Sequence, residues 1–178
     1  MLDTRELGRR PGSQRELSRT VPAPADLGIE VLQVPEGSPV ELDLRLEAVM
    51  EGVLVTGTAQ ATLTGECVRC LEPITDEIDV RFQELFVYED HALPESEDDG
   101  VSTLQDDLVD LEPLLRDAVV LALPFQPLCE EDCPGLCPEC GVRLADDPGH
   151  QHDAAIDPRW AALADLAGPD KTGRTEQN

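Results

Sequence analysis

Hydrophobic and polar positions alternate with a period of two along three stretches of the chain. Val40, Leu42, Leu44, Leu46 and Ala48 are separated by Glu41, Asp43, Arg45 and Glu47. Successive side chains of a strand point to opposite faces, so this run predicts a strand with one buried face. A turn follows at Glu51-Gly52. Val53, Val55, Gly57, Ala59, Ala61 and Leu63 then continue the alternation, and 53–64 reads as the partner strand of a hairpin. The small residues Gly57, Ala59 and Ala61 leave room for another element to approach closely. Ile78, Val80, Phe82 and Leu85-Phe86 predict a further strand over 76–88, with a bulge or bend near Glu84. Upstream, Ile29, Val31 and Val34 predict a strand from Leu27 to about Val34, closed by a turn in PEGSP at 35–39. The Pro-rich TVPAPAD at 20–26 reads as an extended linker.

The period changes after residue 107. Leu111, Leu114, Leu115, Ala118, Val119 and Ala122 recur at helical spacing. Asp110 or Glu112 before Pro113 suits a first helical turn, and Leu123-Pro124 ends it, because the residue before proline avoids the helical region. This helix is expected to pack on the sheet. The acidic, aperiodic stretch 89–107 predicts a solvated loop. DPRWAALADLAG at 157–168 predicts a short helix with Asp157 as cap, and Trp160, Leu163 and Leu166 on one face. The expected organisation is a basic arm and linker (1–26), a β-rich body with one helix (27–123), a Cys/His-rich segment with a short helix (124–168) and a disordered tail (169–178). The fold class is α+β: an antiparallel sheet or partly open barrel, one packing helix and a zinc-ribbon-like C-terminal segment.

Composition narrows the function. The chain has 178 residues, with 13 Lys+Arg against 38 Asp+Glu and a formal charge of −25. Such a balance argues against bulk electrostatic binding of nucleic acid, which depends on cations displacing counterions from phosphates. It fits a basic macromolecular partner. Charge is uneven: residues 1–19 hold Arg5, Arg9, Arg10, Arg15 and Arg19 against Asp3, Glu6 and Glu16, a local net of +2. Those arginines are candidate contacts for RNA; the blander expectation is an arm that packs on its own acidic body or moves freely. No apolar run reaches the roughly 18 residues of a membrane helix. No apolar stretch follows the charges of MLDTRELGRR, so no secretory signal is predicted, the expected location is the cytoplasm, and structural disulfides are not expected.

Six cysteines carry the strongest chemical signal. Cys67-Val-Arg-Cys70 forms one group, and Cys129, Cys133, Cys137 and Cys140 form the second, with His150 and His152 ten residues later. A Cys-x2-Cys turn brings two sulfurs to one ion. In Cys137-Pro-Glu-Cys140-Gly, proline fixes the turn and Gly141 permits the positive φ that follows it. Eight thiol and imidazole ligands suit two four-coordinate sites, and zinc is the expected ion, one or two per chain. The partition stays open. Cys67, Cys70, Cys129 and Cys133 can share one ion and Cys137, Cys140, His150 and His152 the other. Alternatively Cys67/Cys70 pairs with Cys137/Cys140, or only the four later cysteines bind. A His-x-His pair in a strand points to opposite faces, so His150 and His152 meet one ion only if the backbone turns. The competing reading is a thiol redox site, but Cys67 lacks the βαβ setting of thioredoxin-like motifs. No carboxylate–metal motif suggests a hydrolase.

The chain resembles the YceD family, the large ribosomal RNA subunit accumulation proteins. The likeness rests on Val55-Thr56-Gly57, on Gly65-Glu66-Cys67-Val68-Arg69-Cys70-Leu71-Glu72-Pro73, on Asp110-Leu111-Glu112-Pro113 and on Leu121-Ala122-Leu123-Pro124. It continues through the specific block Leu128-Cys129-Glu130-Glu131-Asp132-Cys133-Pro134-Gly135-Leu136-Cys137-Pro138-Glu139-Cys140-Gly141 and Ile156-Asp157-Pro158-Arg159-Trp160. Many members carry Cys-x-Cys near the place of His150-Gln151-His152, which implies that histidine replaces cysteine as a ligand here. The resemblance implies a role in accumulation of large-subunit ribosomal RNA and carries over no catalytic residue. The expectation is therefore a non-enzymatic, zinc-stabilised ribosome-assembly factor that binds a ribosomal protein or a large-subunit assembly intermediate. The alternative is a thiol-based redox protein using the Cys-x2-Cys pairs.

Overall fold

The computed structural model describes residues 1–91 and 102–152. Its strands are β1 (Leu2–Asp3), β2 (Gln14–Pro22), β3 (Leu27–Ile29), β4 (Leu32–Val34), β5 (Pro39–Ala48), β6 (Gly52–Glu66), β7 (Pro73–Val87) and β8 (Leu108–Val109). One helix, α1 (Glu112–Ala122), follows β8. All pairings between strands are antiparallel. The 15-residue β6 is the spine. Along one edge it pairs with β7 over its whole length. Its other edge is shared: β5 pairs with Val53 to Ala61, and β4 takes Thr64 and Gly65. β2 lies outside β5, and β3 outside β4. Among the described residues the result is an open antiparallel sheet with one helix and a Cys-rich C-terminal region, the fold class the sequence predicts.

The alternation does what it promises. Val40, Leu42, Leu44, Leu46 and Ala48 are buried on one face with Val53, Val55, Ala59 and Leu63 of β6 and Ile78, Val80, Phe82 and Phe86 of β7. Helix α1 packs on β7 and β3, with Leu115 and Val119 buried and Leu111, Leu114 and Ala118 partly so. The Asp110 carboxylate accepts the N–H of Glu112 at 3.1 Å, and the helix closes on extended Leu123. Over Gly57 the side chains of Leu44 and Phe82 close in from the flanking strands, filling the space its missing Cβ leaves.

Four local expectations change. The segment 1–26, read as arm and linker, is woven into the fold: Gln14–Pro22 pairs with β5 along nine residues, and Leu2–Asp3 pairs with β8. The sequence hid this strand because only Leu17 and Val21 mark its inward positions, both packed against the core. Arg15 and Arg19 fill the other inward positions, which a sheet margin leaves open to water. The single strand over 27–34 is instead the hairpin β3–β4, with Leu27 opposite Val34 and Ile29 opposite Leu32. Gly28, at φ 149°, lies too close to the Gln33 backbone for any side chain. No bulge interrupts β7 near Glu84, since its register against β6 runs unbroken from Pro73 to Val87. The solvated loop of 89–107 is structured at both ends: Glu89–His91 forms a 3-10 turn, and Thr103 bridges Val87. The helix expected at 157–168 and the tail 169–178 lie outside the described residues.

Candidate metal centres

The two Cys-x2-Cys turns share one backbone design. In the loop joining β6 to β7, Cys67 N–H donates to Glu72 O at 2.8 Å, and Leu71 N–H donates to Cys67 O at 2.9 Å. Seventy residues on, Cys137 N–H donates to Val142 O at 2.8 Å and Gly141 N–H to Cys137 O at 2.9 Å. The residue after the second cysteine is left-handed in each turn: Gly141 at φ 74° and Leu71 at φ 62°. This geometry turns backbone N–H groups toward the first sulfur. At Cys137 the N–H groups of Cys140 and Glu139 hold the thiol at about 6, well below its ordinary 9.0. Burial works against a Cys67 thiolate, but N–H groups of Cys129, Cys70 and Arg69 outweigh it and also bring that thiol to about 6.

Two sets of side chains converge. Cys67, Cys70, Cys129 and Cys133 form the first set, and Cys137, Cys140, His150 and His152 the second; within each set the candidate ligand atoms lie within 4.8 Å of one another. The first set joins the β6–β7 hairpin to the segment after α1. That segment is stitched on by Val68 N–H to Pro127 O at 3.0 Å, Leu136 N–H to Arg69 O at 3.1 Å and Arg69 Nη1 to Cys133 O at 3.0 Å. Cys67, Cys70 and Cys133 are buried under Ile74, Leu128 and Leu136, while Cys129 is exposed. Hydrogen bonding to Cys70 pushes the Cys129 thiol up to about 12, and burial raises that of Cys133.

In the second set the backbone of 150–152 is not a strand, and both rings face inward. The Nε2 atoms of His150 and His152 are 2.8 Å apart, 3.2 Å from Cys140 Sγ and Cys137 Sγ respectively. The opposite nitrogens face carboxylates: His150 Nδ1 lies 3.4 Å from Asp147, and His152 Nδ1 lies 3.4 Å from Glu139. Carboxylates behind metal-binding imidazoles fix ring orientation and tautomer. Reading residue types at Cys-x2-Cys spacing misses Asp147 and Glu139. Their signals are faint: Glu139 lies inside the turn, and Asp147 stands three residues before His150.

The donor geometry fits four-coordinate ions. A tetrahedron with metal–sulfur bonds of about 2.3 Å has sulfur–sulfur edges of about 3.8 Å. Cys67 and Cys133 are 3.8 Å apart, and Cys70 and Cys129 are 3.5 Å apart. With imidazole at about 2.0 Å the mixed edges shorten to about 3.5 Å, so the second set, with edges of 3.2 Å, is drawn slightly tight. The two sets can each hold a metal ion. All six cysteines are free thiols, so no disulfide competes for them.

The basic N-terminal residues are placed differently from a free arm. Arg5 pairs with Asp3 at 3.5 Å, Arg15 with Glu6 at 2.7 Å, and Arg9 with Asp107 at 3.1 Å while lying over the Tyr88 ring. Arg10 and Arg19 make no ion pair among the described residues. No helix among the described residues is long and apolar enough to cross a membrane.

A sheet-and-helix body closed at one end by two Cys/His sets, each able to hold a metal ion, defines the class of protein. The chain belongs to the YceD family, whose description, large ribosomal RNA subunit accumulation protein, matches residues 55–167. It is 51% identical over 170 residues to the uncharacterized protein Rv2926c of Mycobacterium tuberculosis, covering 95% of this chain and 82% of that one. It is 46% identical over 171 residues to the uncharacterized protein ML1660 of Mycobacterium leprae, covering 96% and 78%. The uncharacterized protein YlbN of Bacillus subtilis is 30% identical over 138 residues, covering 75% and 77%. No solved structure matches.

Proposed function

We propose that the chain is a non-enzymatic, zinc-stapled factor for large ribosomal subunit RNA accumulation and ribosome assembly in the cytoplasm. The observation that carries the zinc reading is the convergence of eight thiol and imidazole donors into two sets, the first drawn from segments some sixty residues apart. Cys67, Cys70, Cys129 and Cys133 would hold one zinc ion, and Cys137, Cys140, His150 and His152 the other. Four protein ligands leave no open position for a water, which suits a structural ion. The first ion would hold the C-terminal segment against the β6–β7 hairpin, the second would close the turn within that segment, and their binding energy is folding energy. The ribosomal role rests on membership of the family and its description.

The partner in this reading is a basic ribosomal protein, or its tail, within an assembly intermediate. The outward face of the sheet supports it. Glu41, Asp43, Glu77 and Asp79 stand exposed there around a row of threonines on β6, with Arg45 and Arg81 as the basic exceptions. Such a face attracts cationic segments and repels phosphate. RNA contact through the arm would fall mainly to Arg10 and Arg19. The redox reading finds less support, because Cys67, the thiol most depressed in the first set, is fully buried and a reactive cysteine needs access.

Metal analysis of the purified full chain tests the zinc reading. About two equivalents of zinc, with loss of thermal stability on chelation, are expected; no zinc and an unchanged melting temperature would overturn it. Capture of ribosomal proteins and RNA at low salt, comparing wild type with a variant carrying Asp43→Lys and Asp79→Lys, tests the partner. Equal capture by both would refute the sheet face as the contact.

A further inference from the structure

Arg143 stands between the two Cys/His sets and belongs to neither. Its backbone is part of the second turn: it bridges Leu136 antiparallel, Cys137 N–H bonds to neighbouring Val142 O, and Leu144 N–H donates to Gly135 O at 3.0 Å. Its side chain reaches the other way. Nη1 lies 3.5 Å from the carboxylate of Glu72, the residue that closes the first turn through Cys67. Nε is buried and has no hydrogen-bond partner among the described residues. Burial opposes the charge of this guanidinium, but Glu72, Asp146, Cys70 and Cys129 outweigh it.

A buried, unpaired N–H is costly unless a nearby charge compensates. Four thiolates around one divalent cation carry two net negative charges, and the Arg143 guanidinium, held on Glu72 of the first turn, offsets part of them. The hairpin that positions this guanidinium is closed by the second set. Leu136, opposite Arg143, also donates to Arg69 O in the first turn, so the two turns are braced at one point.

We propose that Arg143 is a positioning residue that couples the two metal sets: an ion on Cys137, Cys140, His150 and His152 orders the 135–144 hairpin, places Arg143 against the first turn, and tightens metal binding by Cys67, Cys70, Cys129 and Cys133. The coupling rests on the reading that both sets bind divalent metal. It is reciprocal, because a coupling free energy acts equally on both sites. The second set fills more readily when the first is occupied.

Cobalt(II) titration of the metal-free full chain tests this. Cobalt bound by four sulfurs and cobalt bound by two sulfurs and two nitrogens have different visible absorption bands, so each set is read separately in one sample. Cys140→Ser, which disables the second set, weakens four-sulfur binding by about tenfold, the low end of effects from groups just outside a metal's ligands. Arg143→Ala produces a similar loss while the two-sulfur, two-nitrogen band still develops. Arg143→Lys, which keeps the charge, recovers part of it. The double variant loses no more than either single one, because both act through the same contact. Two results overturn the proposal: unchanged four-sulfur affinity in Arg143→Ala, or losses that multiply in the double variant. A wild-type chain developing neither band would instead overturn the metal reading, and the coupling with it.

Discussion

Replacing Gly65 by alanine should loosen the fold and the first metal set together. A Cβ on residue 65 would lie 2.1 Å from the carbonyl oxygen of Val31 and 2.9 Å from Leu32 Cα. Non-bonded contacts need about 3.5 Å, and both atoms are backbone, so no rotamer change relieves the clash. The β3–β4 hairpin must withdraw by roughly 1 Å, beyond what a good hydrogen bond tolerates. At risk are the pairings of Leu32 with Gly65 and Gln33 with Thr64, and the 3.1 Å bond from Glu66 N–H to Val31 O. Two or three hydrogen bonds at about 1 kcal/mol each, with partial re-exposure of Leu32, which is 2% exposed, give a cost of about 2–4 kcal/mol. For a chain of this size that lowers Tm by roughly 5–15 °C. Glu66 also precedes Cys67, so metal leaves the first set faster under a chelator. Gly141→Ala is the control. Its φ of 74° imposes strain, but its Cβ meets nothing within 4 Å, so the cost is about 1 kcal/mol. Thermal unfolding of the zinc-loaded variants, followed by circular dichroism, decides. A Tm for Gly65→Ala within about 2 °C of wild type would refute the argument.

Leu46→Ala, at a fully buried position in the middle of the sheet, should cost about 3–5 kcal/mol through the cavity it leaves; denaturant unfolding measures it, and a loss below about 1 kcal/mol would contradict the packing. Cys67→Ser should reduce bound zinc from about two equivalents to about one, as should Cys140→Ser, each read by elemental analysis. In metal-free protein the Cys67 and Cys137 thiols, held at about 6 against an ordinary 9.0, contribute stability that is fully present above that ordinary value and lost as pH falls through about 6. The Tm gap between metal-free wild type and Cys67→Ser should therefore be wide at pH 8.5 and narrow at pH 5, and an equal gap at both would refute the assignment. Binding of a basic partner to the acidic sheet face should weaken steeply from 0.05 to 0.5 M salt, since the Debye length falls from above about 10 Å to a few Å; salt-independent capture points to an apolar interface.

The sequence exposes those parts of this fold in which one physical signal acts alone. β5 and β6 are legible because every inward position is apolar or small and most outward ones, Leu54 excepted, are polar. Helix α1 is legible because Pro113 and Pro124 bracket its stripe. β2 is not, since an edge strand buries only half its inward positions and Arg15 and Arg19 take the rest. The β3–β4 turn is marked only by a shift in parity, with Leu27 and Ile29 on odd positions and Leu32 and Val34 on even ones. All eight candidate ligands are visible as residue types at telling spacings, and one of three possible groupings matches the sets that form. What separates the three is tertiary: the bonds from Val68 to Pro127 and from Leu136 to Arg69 draw Cys129 and Cys133 to the first turn. The carboxylates of Glu139 and Asp147 and the guanidinium of Arg143 are equally tertiary in origin, because an acidic chain offers many such groups and only folding selects these.

The hairpin tip shows why sulfur is needed at this end of the sheet. Inward positions on β6 run Val53, Val55, Gly57, Ala59, Ala61 and Leu63, then Gly65, and the next residue of the same parity is Cys67. Helix α1 covers β7 and β3, and the main core ends near Ile74, which packs both against that core and against the separate cluster of Cys67, Cys70 and Cys133. Three thiols with Leu128 and Leu136 bury too little apolar surface to order the segment from Pro124 to His152 on their own. The turns around them also hold Leu71, 60% exposed, in a left-handed conformation that costs a side-chain-bearing residue about 1–2 kcal/mol. Strain of this kind persists only where the surroundings impose it. Here it keeps N–H groups aimed at Cys67, and a chain with no further use for a thiolate at that point would have no reason to bear the cost. An ion held by Cys67, Cys70, Cys129 and Cys133, as proposed above, gives it that use, since it converts poorly packed thiols into bonds that tie the segment to the sheet.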